Sequence, residues 1–137
     1  MGAKIANLEI LEWDGDGFQP LVSHGEWLVA IMNWEQRFDF QFIGEVERHN
    51  KTDEVFVLIN GSSVLFVVHD NSMEVVDMQP GTIYNVPAGT WHNVIGTRET
   101  KWLIVENNNT SYDNTEFRQL VPGELEALGA QLPPWLG

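Results

Sequence analysis

The sequence has no cysteine at any of its 137 positions. Disulfide bonds and thiol chemistry are therefore excluded. Basic residues are also scarce, because 7 Lys and Arg oppose 20 Asp and Glu and leave a formal net charge of −13. A chain of that charge repels phosphate backbones and anionic lipid headgroups, which argues against nucleic acid and membranes as partners.

Long hydrophobic runs are missing as well. No stretch approaches the roughly 20 apolar residues of a membrane-spanning helix. The first ten residues, MGAKIANLEI, lack the apolar core of a signal peptide, so we predict a cytoplasmic location. The 43% hydrophobic content is nevertheless enough for a folded core. We predict a single domain over residues 1–137, a length that suits one domain.

Short apolar runs separated by turn signals follow one another along most of the chain. Their spacing of roughly 8–12 residues is typical of an all-β sandwich or barrel. Asn60-Gly61 lies between two such runs and indicates a tight hairpin. The runs predicted as strands are 8–11, 26–34, 38–43, 45–49, 54–59, 64–68, 73–78, 82–86, 91–95 and 101–106.

Two polar segments and the tail have a different character. Residues 13–20 are dense in Gly and Asp and are predicted as a loop, as is the polar stretch 107–115. Near the end, Pro122 can begin a helix that Gly129 would end. Its apolar face would hold Leu125, Leu128 and Leu132.

The stretch ERHNKTDE, residues 47–54, concentrates charged groups just before an apolar run. Residues two apart on a strand share a face, so Glu47 and His49 should point the same way, with Glu54 following soon after. His92 begins a later predicted strand. Two imidazoles and one carboxylate suit Fe, Mn, Ni or Zn, and Glu47 could be a fourth ligand. Alternatively, these side chains only fill the barrel mouth and hydrogen-bond one another.

Two motifs in this region resemble those of the cupin superfamily. The first is His49, four residues, Glu54, six residues and Gly61; the second is Gly81, five residues, Pro87-Ala88-Gly89, two residues and His92. They cover residues 47–61 and 81–92 in the family's order. More narrowly, RHNKTDEVFVL and WLIVENNNTS resemble segments of small bacterial cupins of unassigned reaction.

The resemblance has two departures. The family's first motif usually begins His-x-His, and here Glu47 takes the place of the first histidine. Gly96 stands where an asparagine often ends the second motif. The metal ligands that the resemblance carries over are therefore His49, Glu54 and His92 alone.

The resemblance implies a cupin double-stranded β-helix, a jelly-roll barrel, with a short C-terminal helix. It also implies small-molecule binding in the barrel and, as in similar small cupins, a homodimer. Two functions remain open. One is a divalent-metal-dependent enzyme acting on a small polar substrate, with Glu47 as ligand or general base. The other is a non-catalytic, metal-free ligand-binding or sensor module, which the loss of the first histidine favours.

Other side chains receive weaker assignments. His24 and His69 are expected at the surface, and Arg48 should point away from the face that carries His49. Trp91 should likewise face away from its neighbour His92. Four aromatic residues could line the pocket or belong to the core, namely Trp34, Phe40, Phe42 and Tyr84.

Overall fold

The computed structural model describes residues 2–70 and 72–136, and these residues confirm the all-β architecture. They form twelve strands and one α-helix, with three short 3₁₀ turns between them. The elements are β1 (Gly2–Ile5), β2 (Leu8–Leu11), β3 (Gly17–His24), β4 (Trp27–Asn33), β5 (Glu45–His49), β6 (Glu54–Asn60), β7 (Ser63–His69), β8 (Ser72–Asp77), β9 (Ile83–Val86), β10 (Trp91–Gly96), β11 (Lys101–Asn107), β12 (Thr115–Gln119) and α1 (Pro122–Ala130).

Two five-stranded antiparallel sheets make up the barrel. One has the order β12-β5-β10-β7-β8 and the other β3-β4-β11-β6-β9, while β1 and β2 form a separate two-stranded ribbon. Neighbours in each sheet are mostly distant in sequence, as when β11 pairs with both β4 and β6. The strand order therefore depends on long-range pairing rather than on local hairpins alone.

The core lies between the two sheets and follows from the period-two pattern. In β4, Leu28, Ala30 and Met32 are buried, and in β11, Trp102 and Ile104 are buried. Each large apolar side chain removed from water in this way contributes roughly 1.5–3 kcal/mol. A second cluster covers the outer face of the β5-containing sheet, where α1 packs through its buried Leu128.

The predicted loop over 13–20 is wrong in its second half, because β3 begins at Gly17. Pro20 lies within this strand, and it is tolerated because β3 is at the edge of its sheet. The register with β4 shifts between Pro20 and Val22, which marks a bulge. The Gly- and Asp-rich composition predicted a loop, but the residues from Gly17 onward form a strand because they pair with β4.

The predicted strand over 38–43 is also wrong. Residues Gln36–Phe38 form a 3₁₀ turn, and the N–H groups of Phe42 and Ile43 then donate to the carbonyl of Asp39. The carboxylate of Asp39 accepts a further hydrogen bond from the Gln41 N–H. Such local side-chain acceptors compete with strand pairing, and an alternating apolar pattern does not reveal them.

The predicted loop 107–115 ends at a strand that the pattern did not indicate. Strand β12 pairs with β5 over Thr115–Gln119, at the edge of its sheet. None of its side chains is fully buried, so the sequence TEFRQ carries no apolar signal.

The predicted C-terminal helix is confirmed as α1, although its apolar face is narrower than expected. Leu128 is buried and Leu132 packs against the same cluster, whereas Leu125 is 40% exposed. Glu124 accepts a hydrogen bond from the Val121 N–H at the start of the helix. Among the described residues, no helix has the length and apolar character needed to cross a bilayer.

Candidate metal centre

Strand pairing aims two of the predicted ligands into the barrel. In the antiparallel register of β5 and β10, Glu47 lies directly opposite His92. His49 follows Glu47 by two residues and shares its face. On the other side of β5, His49 is opposite Thr115 of β12. Three side chains of one sheet therefore converge on the same point.

The facing sheet supplies the fourth group, Glu54, at the first position of β6. Its Oε1 lies 3.0 Å from Nε2 of His49 and 2.9 Å from Nε2 of His92. Oε1 of Glu47 lies 3.7 Å and 3.9 Å from the same two nitrogens. The four ligand atoms all lie within 4.8 Å of one another. The structure thus brings together all four predicted residues, and their role in metal binding stays a prediction.

The outer nitrogen of each imidazole has its own partner. Nδ1 of His92 donates to the carbonyl of Thr90 at 2.9 Å, and Nδ1 of His49 lies 2.9 Å from the hydroxyl of Thr115. A carbonyl can only accept, so the proton on Nδ1 of His92 leaves its Nε2 able to bind a cation. Both rings are therefore held with Nε2 toward the centre.

The loop that carries His92 is fastened to the first motif. The N–H of Gly89 donates to the carbonyl of His49 at 2.7 Å. Asp53 accepts hydrogen bonds from the Ala88 N–H at 2.9 Å and from the Asn85 side chain at 3.1 Å. These contacts join the chain before Glu54 to the turn before His92, and so fix the distance between the two motifs.

Burial and the charges of neighbouring side chains shift the pKa values of the four groups. Burial alone would raise the pKa of Glu54, but hydrogen bonds from both histidines outweigh it and lower that pKa to about 2. Burial likewise opposes protonation of His49, yet the hydrogen bond and charge of Glu54 raise its pKa to about 8. The pKa of His92 is raised for the same reasons. Burial, followed by the charge of Glu54, raises the pKa of Glu47.

A third carboxyl group at this site, Glu106, was not predicted from the sequence. It is the cross-strand partner of Glu54 on β11 and is buried. Burial, with the nearby charge of Glu54, raises its pKa to about 8. The signal was available, because Glu106 shares the inward parity of Trp102 and Ile104 within KWLIVE. A carboxylate at an inward position of an apolar strand indicates a functional or paired group.

The four groups open onto a cavity of about 630 Å³. Residues from both sheets and from the segments 35–38 and 110–111 line this cavity. They form one apolar side and one polar side. The lining residues are Phe18, Met32, Glu35, Arg37, Phe38, Glu45, Glu47, His49, Glu54, Phe56, His92, Asn93, Val94, Glu106, Thr110, Ser111, Thr115 and Phe117.

The aromatic residues suggested as lining lie elsewhere. Trp34 and Tyr84 pack against the core, and Phe40 and Phe42 are 39% and 57% exposed. Phe40 and Phe42 lie in a turn where the sequence predicted a strand. The alternation of apolar residues there therefore did not indicate which side chains face the cavity.

Solved structures of other proteins share this architecture. A variant of the Streptomyces protein Pac13, solved with uridine, superposes with a TM-score of 0.57 at 13% identity, over 80% of this chain and 84% of that one. A cupin-2 domain protein from Shewanella frigidimarina has a TM-score of 0.50 at 22% identity, over 70% and 85% of the two chains. CapF with an inhibitor, 3-isopropenyl-tropolone, has a TM-score of 0.54 at 18% identity, over 80% of this chain and 34% of that one.

The chain has the cupin fold. The expectation drawn from its two motifs is thereby confirmed for the architecture. All three identities lie below 25%, so these likenesses concern the fold and not the reaction. No protein-family model and no curated protein matches the sequence.

The donor set of this cupin barrel fits a divalent cation. Two ligand atoms that each lie about 2.1 Å from an ion are about 3.0–3.4 Å apart in tetrahedral or octahedral geometry. The two Glu54 distances are close to this range, and the two Glu47 distances are a few tenths of an ångström longer. Imidazole with carboxylate suits Fe, Mn, Ni and Zn alike, so the set does not select one metal.

The remaining predictions about single side chains agree with the structure. His24 and His69 are exposed. Arg48 donates to the carboxylate of Glu116, and its guanidinium lies 4.5 Å from the centroid of the Trp91 ring. Trp91 packs on the outer cluster, away from the site.

Proposed function

We propose that the chain binds a divalent metal ion through Glu47, His49, Glu54 and His92 and acts on a small polar substrate in the adjoining cavity. The observation that carries the proposal is the convergence of four ligand atoms within 4.8 Å at the floor of a cavity of about 630 Å³. A bound divalent ion would supply Lewis-acid polarisation of a substrate oxygen. Fe, Mn, Ni and Zn are the candidates.

Glu47 is the member of the set best placed to exchange a proton with substrate. Its side chain is 26% exposed, whereas those of Glu54 and His92 are 6% and 1% exposed. Its pKa is raised by burial and by the charge of Glu54, which makes its carboxylate a better proton acceptor. His49 and His92 hold their rings through outer hydrogen bonds and serve to position the centre.

Metal analysis of purified protein tests the proposal. The wild type, exchanged into each of the four ions and then desalted, should retain about one ion per chain. His92→Ala should lose it, since it removes a nearly fully buried ligand. His69→Ala is the matched control, because that histidine is exposed at the end of β7. Equal retention by all three proteins would reject the site.

A metal-free binding module is the second candidate, and one observation favours it. Oε1 of Glu54 already accepts from both histidines, so the three side chains satisfy one another as a closed hydrogen-bonded cluster. Under this alternative the wild type retains none of the four ions, and its thermal midpoint does not change when they are added. A ligand would then be held by the cavity walls alone.

The structural neighbours support a small-molecule ligand in either case. The Streptomyces neighbour is described with uridine and as a nucleoside dehydratase, and CapF with a tropolone inhibitor. For this chain we propose only that the ligand is a small molecule that fits the cavity. We also propose that residues 1–137 form a single domain.

We also propose a homodimer in the cytoplasm. Strand β4 cannot pair edge to edge with a second copy, because it lies inside its sheet between β3 and β11. The ribbon β1–β2 is the better candidate, because Ile5, Leu8 and Ile10 are 57%, 52% and 48% exposed. A two-stranded ribbon is marginal without packing. Sedimentation that shows only a 15.6 kDa species at micromolar concentration would reject the dimer.

A further inference from the structure

We propose that the cavity binds a ligand that carries an apolar ring next to its polar end, and that Phe18 and Phe117 hold this ring. The inference deepens the proposed function, because it names the substrate class, and it rests on the cavity being the substrate site. It depends on where the two phenyl groups lie, on their exposure and on how close they are to the candidate metal centre.

Both phenylalanines face the inside of the barrel from edge strands. Phe117 of β12 lies directly opposite Glu47 of β5, and Phe18 of β3 lies directly opposite Met32 of β4. Residues opposite each other in an antiparallel pair share a face of the sheet. Glu47 belongs to the candidate metal centre and Met32 to the core, so both phenyl groups are directed inward. They come from different sheets and line the same cavity.

Phe18 and Phe117 differ from the other large apolar residues of the lining in their exposure. They are 37% and 43% exposed. The other four are at most 5% exposed, namely Met32, Phe38, Phe56 and Val94. A side chain adds hydrophobic stabilisation to binding in proportion to the apolar area that it can still lose to the ligand. The two phenylalanines are therefore the large apolar side chains of the lining that gain most burial when a ligand enters.

The pairing of Phe117 with Glu47 sets how far the ring lies from the polar end of the ligand. Opposite residues of an antiparallel pair have Cβ atoms about 4.5–5.5 Å apart. A ring packed against Phe117 therefore lies beside a carboxylate whose Oε1 is 3.7 Å and 3.9 Å from Nε2 of His49 and His92. A ligand whose polar group reaches these side chains then has its ring joined to that group directly or through one or two atoms.

A flat ring suits this part of the lining better than an open chain. Aromatic rings pack against one another in offset or edge-to-face arrangements, which stabilise the pair beyond the area that is buried. A rigid ring also loses less conformational freedom on binding than a flexible chain of equal area. The cavity of about 630 Å³ has room for one ring and a short polar group.

Two hydroxamic acids with the same metal-chelating group and different tails test the proposal. Benzohydroxamate carries a phenyl ring and acetohydroxamate carries a methyl group. Their affinities are measured by titration calorimetry on the wild type loaded with the ion that it retains. Benzohydroxamate should bind about thirtyfold more tightly, since about 80 Å² of additional apolar burial corresponds to that factor. The ratio of the two affinities cancels the contribution of the shared chelating group.

Substitutions of the two phenylalanines should reduce this ratio. Phe18→Ala and Phe117→Ala should each lower it by about fivefold, and the double variant should bring the two affinities close together. Phe18→Leu and Phe117→Leu keep part of the apolar area and should give intermediate ratios. Phe42→Ala is the matched control, because Phe42 is 57% exposed outside the cavity and its loss should leave the ratio unchanged. The thermal midpoint of each variant checks that it is folded.

Three results of this experiment would overturn the proposal. A ratio near one in the wild type would show that the cavity does not distinguish a ring from a methyl group. An equal loss in Phe42→Ala would assign the effect to a general change in the protein. An unchanged ratio in Phe18→Ala and Phe117→Ala, together with an altered sedimentation coefficient, would show that a second copy of the chain covers these rings.

A fluorinated probe separates a failure of this proposal from a failure of the metal proposal. 4-Fluorobenzyl alcohol has the ring but no chelating group, and fluorine NMR follows its binding to EDTA-treated protein. It should bind the wild type and Phe42→Ala alike and bind Phe18→Ala and Phe117→Ala about fivefold more weakly. A protein that retains no ion but shows this pattern contradicts the metal proposal alone. A protein that retains an ion but binds no ring-bearing probe, or binds them equally in all variants, contradicts the ring proposal alone.

Discussion

Glu47 lies directly opposite His92 where strands β5 and β10 pair. Residues opposite each other in an antiparallel pair point to the same face of the sheet. Glu47, which stands where the first cupin motif usually has a histidine, therefore faces the centre, and its Oε1 is 3.9 Å from Nε2 of His92. This geometry leads to the first of four predictions.

Substitution at Glu47 should alter metal retention in opposite directions. Glu47→Gln removes the negative charge but keeps the size, and it should weaken metal binding by at least about tenfold. Glu47→His should preserve or strengthen binding, because it restores an imidazole at the same face. Competition with a calibrated chelator measures both affinities. If both variants bind metal as the wild type does, Glu47 is not a ligand.

Removal of the Asp53 carboxylate should loosen the loop that carries His92. Asp53→Ala deletes the acceptor for the Ala88 N–H and for the Asn85 side chain. Such supporting contacts typically change metal affinity by about tenfold or more. The same chelator competition checks it, with the exposed Asp113→Ala as control. An affinity equal to that of the control would show that the Gly89–His49 backbone bond alone holds the loop.

Two motif glycines with the same backbone conformation should differ in their tolerance of alanine. Gly61 and Gly81 have φ values of +81° and +82°. A Cβ at Gly61 would lie 2.6 Å from Cα of Thr100, whereas a Cβ at Gly81 meets nothing within 4 Å. Gly81→Ala should cost about 1 kcal/mol in the free energy of unfolding from backbone strain. Gly61→Ala should cost about 3 kcal/mol, because overpacking is added.

Urea unfolding of both glycine variants measures the difference. Each is compared with the wild type at the same pH and with metal removed by EDTA, so that ligand binding does not add to stability. Equal costs for the two variants would mean that Thr100 moves aside readily and that the close approach at Gly61 does not constrain the hairpin.

Acid should remove the stabilisation provided by Glu124. The hydrogen bonds from Arg118, outweighing burial, lower the pKa of Glu124 from its ordinary 4.5 to about 2. A carboxyl group whose pKa is lowered in the folded state stabilises that state fully above its ordinary pKa, and the contribution is lost as the pH falls from about 4.5 to about 2. Glu124→Gln should therefore cost about 1 kcal/mol at pH 7, a discounted value for a partly exposed pair, and only about a quarter of that at pH 2.5.

The free energies of unfolding of the wild type and of Glu124→Gln, measured at pH 7 and at pH 2.5, test the predicted direction of this pH dependence. Glu126→Gln on the same helix is the control, since Glu126 is exposed, and it should show little difference at either pH. A Glu124→Gln deficit that stays constant from pH 7 to pH 2.5 would assign the effect to the amide side chain rather than to the ion pair.

The sequence by itself determined the all-β class, the positions of most strands, the C-terminal helix and the inward parity of Glu47 and His49. Those features depend on the local alternation of apolar residues and on turn residues such as Asn60-Gly61, which a single stretch of chain contains. The resemblance to the two cupin motifs added Glu54 and His92 as candidate ligands.

Tertiary structure decided what depends on partners distant in the chain. Strand β3 forms because β4 pairs with it, in spite of Pro20, and β12 forms because β5 pairs with it, although its residues carry no apolar pattern. Glu106 reaches the site only because β11 aligns it with Glu54. Register between strands is a property of the assembled sheets, since its energy comes from contacts that no local segment contains.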